Sequence, residues 1–216
     1  MSSLISRLRA YAVSSSRFYS SISDSQQAAE VVSYLFHPIL LPLFSYLWLG
    51  NLIGLSTDAA VSFTELMQMV LFSLFIPMLI LYVLKRRGII SSYRMDRREE
   101  RVIPLFFSSI VLALGAVIGS GMVESVLAFT SALMLVFLAI TLFWKISLHG
   151  GGIGVLGGLF LAVDRIDRWI ALVLVVGLTF LVFWARHKLG AHNRWQLIIG
   201  WLVGFTGSIL YYAWLS

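Results

Sequence analysis

Lys145-Ile146-Ser147-Leu148-His149 leads into Gly150-Gly151-Gly152-Ile153-Gly154-Val155-Leu156-Gly157-Gly158, an apolar run that ends at Val163. From Gly150 the run makes about 21 Å of helix at roughly 1.5 Å per residue. The hydrocarbon core of a bilayer is about 30 Å thick. The segment is therefore too short to cross from face to face. Its start is expected below the membrane surface or in a re-entrant bend, which sets His149 inside the protein. Gly150, Gly154 and Gly158 recur at four-residue spacing and form a small-residue stripe, the pattern that lets two helices approach closely in a membrane.

The chain around this run is apolar throughout, with 59% hydrophobic and 12% charged residues and a mean hydropathy of +0.91 over 216 residues. One soluble core cannot bury that much. Further hydrophobic runs lie at about 31–54, 63–84, 102–122, 124–144, 169–185 and 195–215, most of them near the roughly 20 residues a spanning helix requires. The expected fold is an all-α polytopic membrane bundle of six or seven segments. No cysteine is present, which excludes disulfides and thiolate metal sites.

Residues 1–30 are the one long polar stretch, serine-rich and basic through Arg7, Arg9 and Arg17, with 31–216 as the membrane domain. The stretch lacks the apolar segment of a secretory signal. It reads as a solvated or surface-lying tail, with a mitochondrial targeting segment as the alternative. With seven segments, the tail, the 85–101 loop, the 145–149 junction and the 186–194 loop share one side. That side carries 14 of the 16 Lys and Arg, leaving Arg165 and Arg168 opposite. An excess of positive charge marks the cytoplasmic face, so this side and the amino terminus are expected there.

Residues able to handle phosphate collect on that side. The 85–101 loop has seven basic residues and three acids. Such clusters commonly fix topology and touch anionic lipid headgroups. Guanidinium groups also grip phosphate oxygens bidentately, which singles out Arg94 and Arg101. Ser147 and the unpaired backbone N–H groups at a helix start suit an anion, with Lys145 close by. Arg186 and His192 flank the last run, and Gln196 falls one turn after His192 on the same face. A histidine attacks phosphorus when its other nitrogen donates to a fixed acceptor, which Gln196 can supply. Gly200, Gly204 and Ser208 form a second small-residue stripe, able to close on the first and bring His149 towards His192. His37-Pro38, two turns into the first run, reads as a kink with His37 bonded to a freed carbonyl, or as a residue lining the site.

Taken in order, these pieces resemble the type-2 phosphatidic acid phosphatase superfamily, whose helical fold is shared with vanadium haloperoxidases. Arg94, six residues and Arg101 stand for its first motif, with Arg replacing Lys and the proline displaced to Pro104. Ile146-Ser147-Leu148-His149 stands for the second without its proline. Ala185-Arg186, five residues, His192, three residues and Gln196 stand for the third, with Ala for Ser and Gln for Asp. The resemblance covers roughly residues 85–216. It implies a metal-independent and cofactor-free phosphatase, with His192 as nucleophile and His149 as the acid that protonates the leaving group. Arg94, Arg101, Ser147, Arg186 and Lys145 would bind the substrate. The implied substrate is a lipid phosphate or diphosphate, handled in a bacterial inner membrane among membrane lipids, with no nucleic-acid partner. Gln196 departs from that pattern, because an amide brings no negative charge to stabilise imidazolium. A protein that binds lipid phosphates without turning them over, as a carrier or scaffold, is the alternative. A transporter would be favoured by charges deep within the runs, yet the charges sit at run ends.

Overall fold

The computed structural model describes residues 23–49, 62–162 and 167–215; the basic residues Arg7, Arg9, Arg17 and Arg165 lie outside the described residues. The described residues are helical, with no strand among them. Helix α1 (Asp24–Leu35) starts at Ser23, where Gln26 closes a capping box. Pro38 then ends the helical path. It disfavours the α region for His37, which is extended at φ −65° and ψ 131°, and a 3₁₀ turn over Pro38–Leu40 leads into α2 (Leu41–Leu47).

Helix α3 spans Phe63–Arg86. Its first turn is locked by the Ser62 and Glu65 capping box, with Ser62 Oγ accepting from the Glu65 N–H at 3.2 Å. The Glu65 carboxylate also accepts from Tyr46 Oη at 3.1 Å, which ties α2 to α3. Residues Val70–Phe75 widen into π-helix just before Pro77. Proline lacks the N–H that would continue the ladder, and a π-bulge is a common way to absorb that loss.

A 3₁₀ turn at Glu99–Arg101 opens α4 (Val102–Ile118), which folds back onto α5 (Gly121–Phe143) through Gly121 at φ +56°. Ser131 Oγ donates to the Ser109 carbonyl at 2.8 Å across that pair. Helices α6 (Leu148–Ala162), α7 (Arg168–Lys188) and α8 (Arg194–Leu215) complete the bundle. Six helical segments among the described residues are long and apolar enough to cross a membrane, and α6 is the short exception. The chain is an integral multi-pass membrane protein. Large apolar side chains such as Val117, Phe143 and Phe180 point outward and are mostly exposed, as a lipid-facing surface requires.

Helix α6 is the axis of the molecule, with every residue from His149 to Leu159 buried. It packs chiefly on α8, and the small-residue stripes interlock there. A Cβ on Gly150 would lie 2.6 Å from the Leu197 carbonyl oxygen. One on Gly200 would collide with the Ser147 carbonyl, and one on Gly204 with that of Gly151. Backbone thus touches backbone, and neither side can yield. Helix α7 covers another face of α6 and also carries α1.

Candidate anion site

Three chain breaks meet at one end of α6: the 87–101 loop, the 144–147 junction and the 189–193 turn. Their contacts are mainly from long basic side chains to carbonyls. Arg94 Nη2 donates to the Leu189 carbonyl at 3.1 Å, and Arg101 Nη1 to that of Ile146 at 3.0 Å. Lys145 Nζ donates to the Asp96 carbonyl at 2.8 Å. These bonds place the 85–101, 145–149 and 186–194 segments on one side of the bundle. A cavity of about 160 Å³ opens there, lined among others by Arg94, Arg101, His149, Arg186 and His192. That is about ten times the space a single water needs, roughly 15 Å³.

Arg101 and Arg186 are 5% and 8% exposed. Among the described residues neither is in an ion pair; the ion pairs there link Arg94, Arg97 and Arg98 to exposed Asp96 and Glu99. Arg101 has two carbonyl partners, since its Nε also donates to Met95 at 2.9 Å. Met95 holds φ at +46°, a strained value for a residue with a side chain, and so turns its carbonyl to the guanidinium. Arg186 Nε is buried and has no hydrogen-bond partner among the described residues. Two buried guanidiniums without an ion-pair partner among the described residues give this end of the bundle a strongly cationic character, suited chemically to an anion.

The histidines are held by fixed oxygens. Gln196 Oε1 accepts from the Asn193 N–H at 3.2 Å, while Asn193 Oδ1 accepts from the Gln196 N–H at 2.9 Å, capping α8. That reciprocal pair settles which way the amide points. Its oxygen, not its NH₂, lies 3.0 Å from His192 Nδ1. His192 therefore carries its proton on Nδ1 and leaves Nε2 with a free lone pair. Burial pushes the His192 ring down from 6.5 to about 3, helped by Arg101 and Arg186 and opposed by Gln196. Partial burial, and then the same positive field, lower Lys145. His149 Nε2 donates to the Ser33 carbonyl at 3.1 Å, which fixes that ring from α1.

Of the residues expected from sequence, Arg94, Arg101, Arg186, His149 and His192 line the cavity together. Gln196 acts behind His192. Ser147 departs from its expected place: fully buried, its Oγ accepts from the Gly150 N–H at 3.1 Å, so it caps α6 and does not line the cavity. Lys145 likewise stays outside the lining and contributes charge. His37, which the sequence leaves open between a kink residue and a residue lining the site, lines the cavity 5.4 Å from the His149 ring in an edge-to-face contact. Its partner is not a freed carbonyl, since His37 Nδ1 accepts from the Ile39 N–H at 3.3 Å. The His-Pro dipeptide was the available signal, because proline must end the helix there and turn the preceding side chain aside. Ser33, Glu30 and Met95 carried no signal, since they enter through tertiary packing alone.

A second, apolar cavity of about 90 Å³ adjoins the first, and His37, Pro38, Met95, Arg101 and Leu148 line both. It runs among Pro42, Pro77, Pro104 and Leu105 towards the middle of the bundle. No protein-family model, curated protein or solved structure matches the chain.

Proposed function

We propose that the protein is a membrane-embedded lipid-phosphate phosphatase. The observation that carries this reading is the pair of buried guanidiniums of Arg101 and Arg186, neither in an ion pair among the described residues, facing a cavity shared with His149 and His192. The apolar cavity behind Arg101 favours an amphiphile over a free phosphate, because it offers hydrocarbon a place continuous with the cationic one.

The reaction follows from the tautomers. His192 Nε2, its lone pair free, attacks phosphorus and forms a phosphohistidine, while the lipid oxygen departs with the Nδ1 proton of His149, which enters the step as the imidazolium opposite the phosphate charge and keeps its Nε2–H on the Ser33 carbonyl. Water then attacks the phosphohistidine, His149 takes its proton, and inorganic phosphate and neutral His192 result. Arg94, Arg101 and Arg186 stabilise the negative charge that spreads over the phosphoryl oxygens. Gln196 holds the His192 tautomer, and Ser147 positions α6. The excess of basic residues on the site side supports a cytoplasmic orientation for it.

A second reading, a lipid-phosphate carrier or scaffold without turnover, is favoured by Gln196. The amide supplies no negative charge to offset the burial and the neighbouring arginines that lower the basicity of His192. The test is phosphate release from lipid monophosphates and diphosphates by the purified protein, beside His192→Ala. Release by the wild type alone supports the phosphatase. Tight lipid binding without release selects the carrier, and equal release from both proteins ends the enzymatic reading.

A further inference from the structure

We infer that His37 is a substrate-binding residue of this site, whose neutral Nε2–H donates a hydrogen bond to a non-bridging oxygen of the bound phosphate. The assignment rests on the phosphate reading of the cavity and extends it to a residue outside the three motif-bearing segments.

The backbone sets the ring. Pro38 holds His37 extended between α1 and the following 3₁₀ turn, so its side chain leaves the helical path. The Ile39 N–H points at Nδ1 from 3.3 Å, and a nitrogen that accepts from an N–H cannot carry a proton of its own. The neutral ring therefore has its proton on Nε2, on the ring edge turned away from its own chain. Among the described residues Nε2 makes no protein hydrogen bond. Yet the ring is only partly buried and lines the cavity beside Arg101 and Arg186. A donor with no protein acceptor, facing a cavity that the guanidiniums of Arg94, Arg101 and Arg186 also line, completes an anion cradle.

The arrangement also separates the roles of the histidines. His192 is held by an acceptor and so exposes a lone pair, whereas His37 is held by a donor and so exposes a proton. The two local partners, Gln196 Oε1 and Ile39 N–H, have opposite polarity. A lone pair suits attack on phosphorus, and an N–H suits a phosphoryl oxygen. His37 also lines the apolar cavity, so it stands where phosphate ends and hydrocarbon begins.

Two variants distinguish the hydrogen bond from simple ring packing on His149. His37→Phe keeps an aromatic ring against His149 and removes the donor. His37→Gln removes the ring but can place an amide N–H near the position of Nε2. Binding of inorganic phosphate is measured by thermal stabilisation of the full chain in detergent, since a ligand of the folded state raises the midpoint in proportion to its affinity. The expected result is about tenfold or greater weakening in His37→Phe, the size of one hydrogen bond to a charged group. His37→Gln should remain within about threefold of wild type, with midpoints in the absence of phosphate close together. Wild-type-like phosphate binding by His37→Phe overturns the assignment and leaves the phosphate site standing. Equal weakening in both variants also overturns it, because ring packing then accounts for the effect. Absence of phosphate binding by the wild type overturns the assignment and the phosphate reading together.

Discussion

The two halves of the bundle are stabilised by opposite devices. From α6 to α8 the chain is joined by glycines, with carbonyls of one helix seated where the other has no side chain. From α1 to α3 it is interrupted by prolines at 38, 42 and 77, with a π-helical stretch before the last. The glycine half is a rigid frame holding His149, Arg186 and His192. The proline half bends around it, and its breaks deliver His37 and the Ser33 carbonyl to the same cavity. Spacing along a helix builds one wall of the site, and broken helices build the other.

The largest effect should come from breaking the frame. Gly204→Leu drives a side chain into the Gly151 carbonyl, and overpacking against backbone should cost about 3 kcal/mol or more. The expected outcome is loss of monodisperse folded protein, measured by size-exclusion chromatography and thermal unfolding. Next comes chemistry on the frame: His192→Ala should lower phosphate release by about 10³-fold or more with the fold intact. Comparable release would remove His192 from the reaction.

Arg186→Leu separates stability from binding. The buried guanidinium has an unpartnered Nε and no ion-pair partner among the described residues, with Asp96 acting on it only at longer range. Replacing it by a well-packed apolar chain should raise phosphate-free stability by about 1 kcal/mol or more, while phosphate affinity falls about 100-fold. Destabilisation of the empty protein would show that Arg186 is structural. Arg94→Ala should weaken phosphate binding less than tenfold, because this residue is exposed and screened.

Acid should act on the frame through His192. Its folded value lies near 3 against 6.5, so between those limits the unfolded chain holds a proton that the folded one does not. The His192 contribution is fully present above pH 6.5 and is lost as pH falls towards 3. Denaturant unfolding at pH 7 and pH 4 measures the loss. Gln196→Glu adds a charged acceptor, raises the His192 value and should shrink that difference. The smallest effect belongs to the open side of the bundle: Gly177 has nothing within 4 Å of a built Cβ. Gly177→Ala should therefore gain up to about 1 kcal/mol of helix stability.

These contrasts also explain how much could be read beforehand. Four-residue glycine spacing announced the α6 and α8 contact, because small residues on one face have little use except close approach. The His192 to Gln196 spacing likewise announced their hydrogen bond, since one helical turn separates them. The place of Ser147 was not legible, because the same hydroxyl that can bind phosphate also caps a helix, and nothing local decides between the two. The sequence leaves His37 open between two readings because its place depends on the path of α1 over α7 and α6. Such packing has no periodic trace, and neither has the strained Met95 that turns a carbonyl to Arg101.

The central claim is that phosphate is handled by His192 Nε2 in a pocket formed by both halves. Rapid-quench labelling with a ³²P lipid phosphate tests it most directly. The account predicts an acid-labile, alkali-stable label on the peptide containing His192, absent in His192→Ala and reduced in His37→Phe. No label on that peptide, or the same label in His192→Ala, would contradict it.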